Sequence, residues 1–276
     1  MTDLAYLPGL GRTERRSRAL PPALLGWILP LALVGVWEAV ARAGLVASNH
    51  LPAPSVIAAT ILHLARSGDL ADHLTATLGR LGLGFLLGAA AGTIAGAATG
   101  ASRTIRLLVD PLVQGLRSVP SIAWVPLFIL WLGIFEASKV ALIAVGVFFP
   151  VYLNLMSGIA GVDRKLIEVG RAHRLSPLDL VRRVLLPAAL PAYIVGLRGG
   201  LGLGWMFVAA AELMGASEGL GFLLVDGQMT GRPALVIASL IAFAVVGKAT
   251  DLVLVLLGRR ILRWQDTVEA MGGAGA

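Results

Sequence analysis

Gly215-Ala216-Ser217-Glu218-Gly219 has the form Gly-x-Ser-x-Gly, the turn that presents a serine nucleophile when it joins a strand to a helix and faces a histidine. All four histidines, His50, His63, His73 and His173, lie outside the apolar runs of the sequence, which argues against such a hydrolase. No His-Glu-x-x-His occurs, and the chain has no cysteine. That removes the metalloprotease motif, thiolate metal sites, cysteine nucleophiles and disulfides. No Gly-x-x-x-x-Gly-Lys-Ser/Thr run is present either, so any ATP used must be hydrolysed by a partner. No catalytic residue and no metal site is assigned. What remains is a set of ionisable residues within apolar runs, where charge is expensive and marks function by default. Glu38 and Arg42 are four apart, Lys248 and Asp251 three apart, and each pair can neutralise itself on one helix face. Arg117, Arg198 and Glu212 have no such local partner and are candidates for a translocation pathway. Either arginine can attract an anion in a polar path or snorkel to the nearer surface; Glu212 reads as a pathway or gate residue, or as an interfacial one.

The elements that carry these residues follow from composition. The 276 residues are 57% hydrophobic and only 14% charged, with a mean hydropathy of +0.83, against roughly 45–50% and 25% in soluble domains. Six apolar runs, about Leu24–Ala43, Leu78–Gly100, Leu112–Ile134, Val140–Ala160, Leu190–Leu213 and Ala234–Leu257, each match the length that crosses a bilayer. The expected fold is an all-α membrane protein with six transmembrane helices. The net charge of +7 comes mainly from residues between these runs, so it signals topology and not nucleic acid. With the N-terminus inside, 15 basic residues fall in inner segments (Arg12, Arg15, Arg16, Arg18, Arg103, Arg106, Arg164, Lys165, Arg171, Arg174, Arg182, Arg183, Arg259, Arg260, Arg263). Five fall outside (Arg42, Arg66, Arg80, Lys139, Arg232). This bias places both termini in the cytoplasm. Arg15-Arg16 before an apolar run resembles a twin-arginine export signal, but the run is too long and five more spans follow. Residues 1–23 and 263–276 are then cytoplasmic tails around a six-helix transmembrane domain at 24–262.

Gly84, Gly88, Gly92, Gly96 and Gly100 recur every four residues, as do Gly196, Gly200 and Gly204. Each set lines one helix face and admits a closely packed neighbour, from the same chain or a second copy. Pro120 and Pro126 interrupt the third run and kink it. Val56–Ala65 reads as a short helix in the longest outer segment. The inner segment 161–187 is patterned as two short helices. Asp163–Arg174 is amphipathic, with Leu166, Val169, Gly170 and His173 on one face. Leu175-Ser176-Pro177 breaks the chain, with Ser176 as N-cap and Pro177 at the first helical position. A second helix, Leu178–Leu186, ends at Pro187. Two short helices under a membrane form a docking element.

Glu168-Val169-Gly170-Arg171-Ala172 with the distal Leu186-Pro187 resembles the EAA loop of permease subunits of ATP-binding-cassette importers. That loop usually reads Glu-Ala-Ala, a glycine four residues later, then Leu-Pro. Leu51-Pro52-Ala53-Pro54-Ser55, Asp110-Pro111-Leu112, Arg117-Ser118-Val119-Pro120-Ser121, Trp124-Val125-Pro126-Leu127 and the run Ala211–Gly221 resemble the branch that imports aliphatic sulfonates, taurine and nitrate. The resemblance covers about residues 24–262. It implies a type I importer permease fold, acting as two permease copies (a homodimer) with two ATPase subunits. It also implies a periplasmic or extracytoplasmic substrate-binding protein that sets most of the specificity. The location implied is the bacterial inner membrane, with lipid around the spans and no cofactor in this chain. Glu168, Val169, Gly170, Ala172, Arg174, Leu186 and Pro187 would form the ATPase-coupling element, with Glu168 meeting a basic ATPase residue. Arg174 stands where the family glycine is usual, and Val169-Gly170 where two alanines are usual. An aliphatic sulfonate is the expected substrate, with nitrate or taurine as alternatives. An ATP-independent carrier or channel is the rival class; no internal repeat supports it.

Overall fold

The computed structural model describes residues 22–264 and is helical throughout, with no strand among the described residues. The expected tails, and with them Arg12, Arg15, Arg16 and Arg18, lie outside the described residues apart from their innermost positions. Among the described residues, those from 22 to 55 form one compact unit and those from 56 to 264 a second. In the first, α1 (Pro22–Arg42) carries Glu38, whose carboxylate pairs with Arg42 and also accepts from the Ser55 backbone N–H at 2.9 Å and its hydroxyl at 2.8 Å. It thereby satisfies a donor at the start of α2 (Pro54–Ser67) that the helix itself leaves unpaired.

The second unit is organised around three long helices: α3 (Asp69–Ala101), α6 (Glu136–Ala160) and α9 (Leu186–Leu213). Both glycine ladders pack within the chain, and both pack against α6. A Cβ on Gly92 would lie 2.8 Å from the Phe148 carbonyl oxygen, and one on Gly96 2.8 Å from that of Tyr152. On α9, Gly196 sits over Asn154 and Val151, and Gly204 over Val147. Backbone thus meets backbone along α3–α6–α9, and Ile143, Val147 and Val151 fill the seam completely buried. The register makes α3 and α6 parallel and α9 antiparallel to both. α11 (Pro233–Ile261) runs antiparallel to α9, with Gly258 beside Ile194 and Gly247 beside Trp205.

Four helical stretches among the described residues are long and apolar enough to cross a membrane: Asp69–Ala101, Glu136–Ala160, Pro177–Leu213 and Pro233–Ile261. The third apolar run is not one kinked helix. It divides into α4 (Arg103–Arg117) and the 12-residue α5 (Ser121–Leu132). Pro120 lacks a backbone donor and disfavours the helical conformation at Val119 before it, so the chain breaks there; Pro126 is absorbed inside α5. A helix that the apolar pattern does not announce, α10 (Leu220–Met229), follows α9 and packs on α11.

The segment 161–187 folds as a helix, a turn and a second helix. α7 spans Arg164–Ala172, with the Asp163 side chain capping it through the Lys165 N–H at 2.9 Å. Ser176 caps α8 (Pro177–Leu180), accepting from the Asp179 N–H at 3.1 Å, and Pro177 opens it. The second helix does not end at Pro187. A single π-type turn, Val181–Leu185, carries α8 directly into α9, where Pro187 lies in the first turn and Pro191 in the interior. The wider turn accommodates the proline, which supplies no N–H and would crowd the preceding carbonyl in a regular helix.

Candidate functional site

At the 161–187 end, α7 turns back onto α8. Gly170 is buried there: a Cβ would lie 2.5 Å from the Leu180 side chain and 3.3 Å from that of Val184. The face predicted to hold Leu166, Val169, Gly170 and His173 together is therefore divided. Gly170 seals the hairpin while Leu166, Val169 and His173, with Leu178 of α8, remain exposed. Arg174 is the one non-glycine residue among those described with a left-handed backbone, at φ 52°. Its N–H reaches the Arg171 carbonyl at 2.8 Å, and the Leu175 N–H reaches that of Gly170 at 3.2 Å. Those two bonds define a Schellman closure, with Arg174 at the position usually given to glycine. Arginine in place of the motif glycine thus leaves the turn intact. Glu168 and Ala172 are exposed, and no hydrogen bond or ion pair engages Glu168 among the described residues. Leu186 is half-buried and Pro187 exposed at the start of α9.

The opposite end of the bundle holds a charge cluster. Arg80, 4% exposed, donates to Glu212 at 2.8 Å, to both Glu136 oxygens at 2.6 and 3.0 Å, and to the Glu218 carbonyl at 2.6 Å. Glu212 is fully buried and accepts further bonds from Thr77 at 2.8 Å and from the Gly221 N–H at 2.8 Å. Lys139 adds a second cation 3.0 Å from Glu136. Gly219, at φ 120°, is the required residue here: a Cβ would sit 2.5 Å from the Glu212 carboxyl carbon. Its N–H donates to His73 Nδ1 at 3.0 Å, so that histidine is engaged by backbone, and the exposed Ser217 sits in a turn between two helices and not after a strand. Arg80 and Lys139 are thus interior ion-pair partners and not the outer-loop flanks that their positions in the sequence predict.

Between these ends lie two cavities. One, of about 400 Å³, is lined by Arg117 and Val119 with Trp124, Phe149, Asn154 and Phe207. Arg117 ends α4, exposed, with Gln114 3.4 Å away. The other, of about 630 Å³, opens between α9 and α11 and holds Arg198, Lys248 and Asp251. The three-residue spacing pairs Lys248 with Asp251, but the structure gives that carboxylate to Arg198, which binds it through two nitrogens at 2.9 and 3.2 Å. Lys248 is left 3.8 Å away. The partner comes from another helix, which spacing within one helix cannot reveal. Among the described residues no group of three or more His, Asp or Glu side chains is placed to hold a metal ion.

A glycine-seamed bundle of long apolar helices, with a folded helix–turn–helix at one end and a buried ion-pair lock at the other, is a multi-pass membrane protein of the transport class. Residues 84–263 match the family described as binding-protein-dependent transport system inner membrane component, and the chain belongs to that family. A Bacillus subtilis protein whose name assigns it to aliphatic sulfonates transport as a permease is 43% identical over 244 residues, 88% of each chain. The taurine transport system permease protein of Escherichia coli is 34% identical over 86% of this chain and 88% of its own. Among solved structures, an inward-facing form of the MetNI methionine ABC transporter superimposes with a TM-score of 0.60 at 21% identity, covering 67% of this chain and 92% of that one. That likeness speaks to the fold.

Proposed function

We propose that the chain is the membrane-spanning subunit of an ATP-binding-cassette importer that moves a small organic anion, an aliphatic sulfonate, inward across the inner membrane. It is a permease without an ATPase site of its own. The observation that carries the reading is the 161–187 hairpin. It presents Leu166, Val169 and Leu178 to the surroundings beside an unengaged Glu168, on a turn that keeps the Schellman hydrogen bonds with Arg174 in the left-handed position. This is a helix offered to a groove. In this reading two ATPase subunits seat on two permease copies, and Glu168 meets a basic residue of the ATPase. Val169, Gly170, Ala172 and Arg174 shape the element, and Leu186-Pro187 joins it to the span. The hairpin and both termini face the cytoplasm. Six spans are formed by α1, α3, α4 with α5, α6, α9 and α11, and the Arg80–Glu136–Glu212 end faces outward, where a substrate-binding protein delivers the anion. Arg117 and Arg198 line the path and Glu212 belongs to the outer gate. The name of the Bacillus relative favours a sulfonate; taurine, itself a sulfonate, is the near alternative, and nitrate the smaller one.

The test is co-purification. Mildly solubilised from its own host, the tagged protein is expected to bring down a stoichiometric ATPase with a Walker motif. Glu168→Lys is expected to reduce that recovery while leaving the permease's own yield and monodispersity unchanged. Absence of any ATPase from the wild-type preparation in several mild detergents refutes the reading and makes an ATP-independent carrier or channel the leading account.

A further inference from the structure

Lys248 lies 15 residues from the start of α11 and 13 from its end, about 20 Å from either at 1.5 Å per residue. That is the middle of a membrane-spanning helix, too deep for its stem to bring the ammonium to either surface. Yet its side chain is 80% exposed, and that of Arg198 beside it 46%. A cation left in hydrocarbon at this depth costs several kcal/mol, and such residues are found facing protein or a water-filled cavity. The face formed by α9 and α11 is therefore not a lipid-facing one.

The charges on that face do not cancel. Asp251 holds Arg198 by a two-pronged pair, and Lys248 stands at the edge of the same carboxylate, so the cluster carries a net +1. The walls are apolar: Leu201, Trp205, Met206, Leu240 and Phe243 line the cavity of about 630 Å³ above and around the cluster. The Trp205 indole N–H is already taken by Thr250 at 2.9 Å, which leaves its ring as surface. A surplus cation at one side of an apolar chamber, within the size range of small-ligand pockets, has the chemistry to hold an anionic head with a short hydrocarbon tail. A phospholipid headgroup shares the anionic chemistry but resides near the helix ends, not at mid-depth.

We infer that the Arg198–Lys248–Asp251 chamber between α9 and α11 is a mid-membrane binding site for an alkyl anion, with Lys248 as the residue that selects its charge and Trp205, Met206 and Phe243 as the walls that receive its chain. Arg198 is a positioning residue here, held by Asp251, and Lys248 makes the contact. The inference rests on the reading of the protein as an importer of small organic anions and assigns the substrate's chain and charge to named groups.

Because the chain has no cysteine, Ala244→Cys, on the chamber wall, gives the permease a single thiol. The importer, purified with its ATPase in nanodiscs, is treated with the water-borne thiol reagent 2-sulfonatoethyl methanethiosulfonate, with and without hexanesulfonate. Labelling is expected, and hexanesulfonate at ten times its dissociation constant is expected to slow it about tenfold, since occupancy leaves roughly one chamber in eleven free. Hexyltrimethylammonium is expected to leave it unchanged. Adding Lys248→Gln, which keeps the Arg198–Asp251 pair, is expected to abolish the protection while ATPase recovery stays at the wild-type level. Labelling without protection overturns the anion site. No labelling, with a disulfide joining the introduced thiols of two copies instead, overturns it in favour of a protein-covered face. Uptake of hexanesulfonate by the wild-type importer with its binding protein is scored separately: protection without uptake refutes the transport reading and leaves the site standing.

Discussion

Loss of either member of the buried Arg80–Glu212 pair is expected to destabilise the bundle strongly. Both side chains are withdrawn from solvent, and Glu212 uses both oxygens as acceptors: one takes Arg80 Nη1 at 2.8 Å, the other the Gly221 N–H at 2.8 Å, and Thr77 donates to the pair. Glu212→Gln preserves shape and replaces one acceptor by an NH2 donor. Either orientation of the amide then confronts a donor, Arg80 on one side or Gly221 on the other, while Arg80 loses its fully buried counter-charge. Removing one member of a buried, hydrogen-bonded ion pair costs about 3–5 kcal/mol. For a folded body of 150–250 residues each kcal/mol moves the melting temperature by about 2–4 °C, so about 4 kcal/mol predicts a fall of roughly 8–16 °C. Arg80→Met is expected to cost a similar amount, since it strands Glu212 in the same place. The double variant is expected to fall short of the summed losses by about 2 kcal/mol, as directly coupled residues do. Thermal unfolding in one detergent, followed by tryptophan fluorescence, measures all four corners. A Glu212→Gln melting temperature within about 2 °C of wild type, or strictly additive losses, would show that the two side chains are not a coupled buried ion pair.

Two further outcomes follow from the backbone. A left-handed conformation costs a side-chain-bearing residue about 1–2 kcal/mol, and glycine recovers that less about 0.5–1 kcal/mol of chain entropy. Arg174→Gly is therefore expected to stabilise the hairpin by about 0.5–1 kcal/mol and to slow hydrogen exchange at the Leu175 amide about two- to fivefold; unchanged or faster exchange contradicts the Schellman assignment. Gly82 and Gly92 share α3, but a Cβ on Gly82 meets nothing within 4 Å whereas one on Gly92 meets the α6 backbone. Gly82→Ala is expected to raise the melting temperature slightly, through up to about 1 kcal/mol of helix propensity, and Gly92→Ala to lower it. The same sign for both in one melting experiment would contradict the seam.

The glycine spacing contains more of the site than the glycines themselves. Four residues before Gly84 lies Arg80, and the same interval counted on from Gly204 passes Val208 and reaches Glu212. Both ladder faces turn into the bundle, so both charges are carried inward, to the same end, by the register that packs the glycines on α6. Arg80 was legible as a buried residue on that ground, although its place at the edge of an apolar run reads as a topology flank. The Ser176 cap, Pro177 and the amphipathic first helix were legible too, because their causes are local. Long-range partners were not: nothing within α9 says that Arg198 will meet Asp251, and nothing within α3 says that Glu136 will share Arg80. Pairing across helices is decided by packing register, which local spacing does not encode.

Pro187 shows how the same residue yields opposite mechanical conclusions under the two descriptions. If the proline ended the second hairpin helix, the hairpin would hang from the span on a joint, and force applied to it would dissipate in the joint. The π-type turn at Val181–Leu185 carries the helical path past the proline, so Pro177–Leu213 is one continuous helical stretch, about 55 Å along its path at 1.5 Å per residue. That stretch begins at the Ser176 cap, carries Arg198 in its middle and ends at Glu212. Gly170 ties α7 to it through Leu180 and Val184. The hairpin that exposes Leu166, Val169 and Leu178 is thus continuous with the helix that carries Arg198 and the buried Glu212 carboxylate. Because α9 is seamed to α6, and α6 to α3, with no room for a Cβ at the ladder positions, the three helices meet backbone to backbone. The Glu218 carbonyl and the Gly219 and Gly221 N–H groups, bonded to Arg80, His73 and Glu212, tie the chain that follows α9 to the seamed helices at the far end of the bundle.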